Sequence, residues 1–413
     1  MVTSTENHVT STELLRDAEE LRAQVQLIVN STYVTDVHTH IFPPVFKDLC
    51  LFGIDELLTY HYLVAEMFRT ARISYERFWR MSKTEQADLV WQTLFVENSP
   101  VSEAARGVIS VLDAFGLDTR AADLKEAREF FNSRTLREHI EHVFDLALVS
   151  DVVMTNDPLD EAEARMWRDG VDLDRRFRSS LRLDRLLNSG ADVLSTRRFL
   201  DEWIQRMDPV YLAASLPAEF QFPSDDTRDR LLREVVLPAA KDHGLPLTLM
   251  IGVRRQVNPR LREAGDGVGR ADVKAIERLC AEFHDVKFLA TFLSRENQHE
   301  LCVAARKFNN LMPFGCWWFL NNPSIVSEIT RERFELLGPS FIPQHSDARV
   351  LEQLIYKWRH ARKQIADALY DSYARLLDSG RAVTSEEISR DVRRLFSENF
   401  NAWIVTLNAE GVR

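Results

Sequence analysis

Cysteine is scarce and scattered. The four residues, Cys50, Cys280, Cys302 and Cys316, form no CxxC pair. This argues against a zinc ribbon or a disulfide framework and fits a reducing compartment. Positive charge is also short: 52 basic side chains face 63 acidic ones, for a net charge of -11, with no long Lys/Arg run. Neutralising phosphates needs a basic face, so nucleic acid is not an expected partner. An anionic small molecule remains compatible, because a few local arginines can hold one inside an acidic protein. Long apolar runs are missing too, and none reaches the length of a membrane span. The polar start "MVTSTENHVTSTELLRDAEELRAQ" has no basic stretch followed by an apolar one, the pattern of a secretory signal. The expectation is a soluble, cytoplasmic protein.

Apolar residues make up 45% of the 413-residue chain and charged residues 28%, enough for a large core. Residues 1–11 are rich in Ser and Thr and read as loose. "STELLRDAEELRAQVQLIVN" reads as a helix capped by Ser11 or Thr12, with Leu14, Leu15, Leu21, Val25 and Ile28 on one stripe. "YVTDVHTH" follows as a short β-branched strand. From about residue 55 to 150 apolar residues recur every three to four positions with few Gly or Pro, which predicts a helical block without strands.

Beyond it, short apolar runs fall at 151–155, 179–184, 209–215, 245–253, 286–293, 311–319 and 340–347. Most are separated by helical patterns, at the roughly 30-residue spacing of a βα repeat. With the strand before His38 the count is eight. The predicted fold is α/β: a distorted (β/α)8 barrel over 33–349, with a helical insertion after the first strand, an N-terminal segment over 1–32 and C-terminal helices over 350–413. A doubly wound open sheet is the alternative, but "HTHIFPPVF" has no glycine in the first turn, where such folds normally need one.

In a (β/α)8 barrel the active site lies at the C-terminal ends of the strands. Those ends present His38 and His40, Arg182, Arg254 and Arg255, Arg295, Trp317 and Trp318, and Asp347 with Arg349. Residues i and i+2 of a strand share a side, so His38 and His40 can share a cation, or they are simply a polar strand end. Asp347 would lie beside them where the barrel closes. Two His and one Asp make a three-ligand metal site, unless Ser346 or Asp347 only caps the next helix. The arginines suit a carboxylate, which a guanidinium grips bidentately, although each taken alone fits a surface ion pair. One of the two tryptophans can wall the pocket. Tyr60, His61 and Tyr62 open the helical insertion and read equally as the polar tips of an amphipathic helix.

Together these segments give the chain its resemblance to the uronate isomerases, a branch of the amidohydrolase superfamily. The likeness rests on "DVHTHIF" with "HYLVAE", "MIGVRRQVNPRLREAGDGVGR", "SRENQHEL" with "GCWWF", and "SDAR". It implies conversion of D-glucuronate to D-fructuronate and of D-galacturonate to D-tagaturonate. By this resemblance Asp347 is the base that moves a proton between C2 and C1. Tyr62, Arg349 and His38 share the catalytic machinery, and His40, His61, Arg182, Arg295, Trp317 and Trp318 contact the sugar acid. His38, His40 and Asp347 would hold one divalent ion such as zinc, dispensable for activity. A homo-oligomer acting on a small sugar acid is expected.

The chain departs from the family at Met250, where many members have a histidine. The alternatives are a mononuclear metal hydrolase on the same barrel, an isomerase of a related sugar acid, and a binding protein that kept the pocket. A hydrolase would want further ligands. "PVYLAAS" has no Lys or His, "LTLMIGV" offers Met250, and "VKFLATFL" has Lys287 only at its start.

Overall fold

The computed structural model describes residues 14–405. Among these, seven parallel strands pair in chain order: β1 (Val34–Thr39), β2 (Val149–Asn156), β3 (Phe177–Arg182), β4 (Leu212–Pro217), β5 (Leu247–Arg254), β6 (Phe288–Phe292) and β7 (Leu311–Pro313). Their residues are almost all buried, as expected when helices cover a parallel sheet. Helices follow the strands in turn, among them Glu161–Arg168, Val193–Met207, Lys274–Glu282 and Pro323–Leu337.

The predicted eighth strand is not a regular one. Phe314 and Ile342 form a single parallel bridge. The Gly315 amide donates to Ile342 O at 2.9 Å and the Ile342 amide to Pro313 O at 3.1 Å. On the other flank the Asp347 amide donates to His38 O at 3.1 Å and the His40 amide to Ala348 O at 2.7 Å. The segment thus closes β7 onto β1 and completes a distorted (β/α)8 barrel. Two residues keep it irregular. Pro343 has no N–H for the ladder, and Asp347 sits at φ 50°, outside the extended region.

Asp36 clamps this seam. It is fully buried; Oδ1 accepts the Ser346 amide at 3.0 Å and Oδ2 accepts the Trp358 indole N–H at 2.8 Å. Burial raises its pKa, and these donors only partly offset that. Trp358→Phe removes one donor and leaves a void beside an unpaired buried oxygen. A loss of about 1–3 kcal/mol is expected, read as a lower urea midpoint at unchanged m-value.

Between β1 and β2 the chain is helical, from Pro44–Leu49 to Leu136–Ala147. The helix Gln353–Asp378 packs on Ala18–Ser31, on Glu103–Ala114 and Leu136–Ala147 of the insertion, and on Pro323–Leu337. The first helix differs from expectation. Leu14 and Leu15 pair with Thr384 and Val383 as a two-residue strand. The helix starts at Ala18, because Asp17 accepts the amides of Glu19 and Glu20, each at 2.9 Å, the geometry of an N-cap. The expected caps Ser11 and Thr12 lie outside the described residues.

Candidate active site

His38 lies in β1 and His40 just past its end. Asp347 comes from the closing segment, and its positive φ turns the side chain at the seam. Asp347 Oδ1 lies 3.5 Å from His38 Nε2 and 3.4 Å from His40 Nε2. His38 Nδ1 meets Thr155 Oγ1 of β2 at 3.1 Å. A hydroxyl can donate or accept, so this contact permits either imidazole tautomer.

Burial and then the Arg349 charge lower the His40 pKa to about 3, so its imidazole is neutral at pH 7. The same two causes bring His61 to about 3. Burial pushes the Asp347 pKa up, but hydrogen bonding from His38 and His40 outweighs it and holds the carboxyl well below its usual range. The centre is therefore an ionised carboxylate flanked by imidazoles.

The donor atoms of His38, His40 and Asp347 lie within 4.8 Å of one another. Ligands of a tetrahedral zinc with bonds near 2.1 Å stand roughly 3.4 Å apart. The two His–Asp distances match that value, so these residues fit a divalent cation.

Around this centre is a narrow cavity of about 40 Å³. Arg182, Arg255 and Arg349 reach it from the ends of β3, β5 and the closing segment, and Trp317, Trp318 and His61 complete its walls. Thr155 of β2, Ser215 of β4 and Met250 of β5 also face it. Thr155 and Ser215 are not among the expected site residues, whereas Arg255 is one of the arginines expected at the strand ends. The available signal was positional, since "DVVMT" and "PVYLAAS" end on Thr155 and Ser215.

Two expected contacts differ in placement. Arg295 does not reach the cavity. β6 ends at Phe292 and the turn Arg295–Asn297 directs the side chain outward, where it pairs with Glu328 at 2.9 Å and is 55% exposed. Arg295→Ala is accordingly expected to leave KM for D-glucuronate unchanged within about twofold, since exposed ion pairs contribute little; steady-state kinetics will check this. Tyr62 stands behind the wall that His61 lines. Its ring stacks near Phe319 at 6.2 Å, and its hydroxyl is buried without a partner. Both residues start the helix His61–Met67. Consecutive helical residues point about 100° apart, so one faces the cavity and the other turns away.

The fold and the site define a (β/α)8-barrel protein with a His-x-His pair and an aspartate converging at the strand ends. A crystal structure of a uronate isomerase from Bacillus halodurans superposes with a TM-score of 0.92 at 52% identity, over 94% of this chain and 97% of that one. The chain belongs to the uronate isomerase family. A uronate isomerase from Thermotoga maritima (TM-score 0.70, 15% identity, 95% of this chain and 98% of that one) shares the fold. So does a glucuronate isomerase from Caulobacter crescentus (0.72, 16%, 95% of each chain). No protein-family model matches the chain, and no curated protein does.

Proposed function

We propose that the protein interconverts aldouronates and ketouronates, D-glucuronate with D-fructuronate and D-galacturonate with D-tagaturonate. The observation that supports this best is an ionised Asp347 beside two imidazoles in a cavity that three arginines enter. The arginines suit the C6 carboxylate of an open-chain sugar acid. Asp347 Oδ1 is engaged by the imidazoles, which leaves Oδ2 to take the proton from C2. The C2–H bond breaks as Oδ2 takes the proton, a cis-enediol forms, and the protonated carboxyl, which exchanges with solvent during the lifetime of the enediol, delivers a proton to C1 as the new C1–H bond. In step with this, the O2–H proton moves to O1 through a side chain that can both donate and accept. His38 or His61 has that chemistry, and placing it at the developing oxyanion also stabilises charge there. Trp317 and Trp318 wall the cavity beside the enediol. The test is incubation with each uronate in deuterated water, followed by NMR. Ketouronate with deuterium at C1 is expected; no ketouronate from either epimer would overturn the reading.

A divalent ion such as zinc would be held by His38, His40 and Asp347, and when bound it supplies Lewis-acid polarisation of substrate oxygens. Ion binding stabilises the ionised carboxylate and so weakens the same group as a base. Occupancy and base function therefore compete. Protein dialysed against chelator is expected to keep full activity, while excess zinc binds at one ion per chain and is lost in the His38→Ala/His40→Ala protein. Activity that tracks metal content would contradict this.

No described helix is long and apolar enough to cross a membrane. The four cysteines are free and buried, which supports assignment to a reducing cytoplasm.

A further inference from the structure

Each of the three arginines at the cavity faces a carboxylate. Arg255 is 58% exposed and meets Asp266 at 2.5 Å. Arg349 is 39% exposed and lies 3.6 Å from Glu263, itself 83% exposed. Arg182 is less exposed, and its partner Asp184 is buried. Asp184 Oδ2 accepts the Arg182 Nε–H at 2.5 Å, while Oδ1 accepts the backbone N–H of Ser215 at 2.6 Å. Arg182 and Ser215 both face the cavity. One carboxylate thus ties the end of β3 to the end of β4, with one oxygen spent on each. It cannot rotate without breaking a short, charge-assisted bond. Because Nε is taken, the two terminal nitrogens of the Arg182 fork are the edge left for a ligand, and that edge suits a carboxylate.

We propose that Asp184 is a positioning residue: it presets Arg182 for the carboxylate of the substrate and so favours sugar acids. This rests on the uronate reading of the cavity. A guanidinium already fixed in plane loses little side-chain freedom when the substrate arrives. The effect therefore falls on binding rather than on the proton-transfer step at Asp347.

The experiment is a double-mutant cycle with D-glucuronate, on the wild type, Asp184→Asn, Arg182→Met and the double variant. Asparagine can still accept the Ser215 amide through its oxygen, but its amide nitrogen cannot accept from Arg182. KM is expected to rise about tenfold in Asp184→Asn, the size of a lost charge-assisted hydrogen bond, with kcat within about twofold. The substitution should add nothing in the Arg182→Met background. Asp184→Glu, which retains the charge but moves it by one methylene, should give the same split at smaller size and serves if the asparagine variant fails to fold. An unchanged or lower KM, a loss confined to kcat, or an equal rise without Arg182 would overturn the proposal. A wild type inert on uronates would instead remove the underlying reading, and the two failures are told apart by the wild-type arm alone.

Discussion

Asp347→Asn is expected to lower kcat for D-glucuronate by about a thousandfold with little change in KM, within the range that general-base catalysis contributes. The amide is close to the carboxylate in shape and can still accept from the imidazoles of His38 and His40, which stand 3.5 Å and 3.4 Å from Oδ1. It cannot accept a proton from C2 at neutral pH. The sugar should bind and then stall before the enediol. Two NMR measurements check this: ketouronate formation, and deuterium uptake at C1 of the product in deuterated water. Both should fall together. Retention of more than about a tenth of wild-type turnover would exclude Asp347 as the base, because removing a general base costs at least about a hundredfold.

Gly315→Ala is expected to cost about 3 kcal/mol or more, from two sources that act together. Gly315 sits at φ 64°, a left-handed conformation that costs a residue with a Cβ about 1–2 kcal/mol. An added Cβ would also lie 1.9 Å from His345 Cδ2 and 2.5 Å from its Nε2, and overpacking costs about 1–3 kcal/mol. The His345 ring has nowhere to go. It is fully buried, with the rings of Phe314 and His38 each at 5.1 Å. Any shift is passed to His38, so activity should fall along with stability. Urea unfolding and turnover of the folded fraction measure the two effects. A variant as stable as the wild type would mean that the His345 ring is free to move out of the way.

Much of the barrel was legible in the chain because its signals are local. A strand buried on both faces is a short β-branched run, and βα alternation spaces such runs regularly, so β1 to β6 fall close to their expected positions. The pattern failed where local chemistry gave way to closure. Residues 340–347 are apolar enough for a strand, but Pro343 and the turn at Asp347 leave only a single bridge. Leu14 and Leu15 fit a helical stripe, yet Asp17 starts the helix after them. Arg295 and Arg255 look alike in sequence, both just past a strand run. Only the direction of the following turn sends the first to Glu328 and the second to the cavity.

By itself, then, the sequence determined the alternation of strands and helices, the helical insertion, and the placing of His38, His40, Asp347 and Arg182 at strand ends, because each follows from periodicity and position along the chain. Tertiary structure alone decided what these residues meet. Asp347 reaches His38 and His40 across more than 300 residues because Asp36 accepts the Ser346 amide and the barrel closes there. His61 rather than Tyr62 faces the cavity through the angle of one helix. Asp184 grips Arg182 and the Ser215 amide together because β3 and β4 are neighbours. Such contacts depend on register and rotation between distant segments, and no local pattern in the chain encodes them.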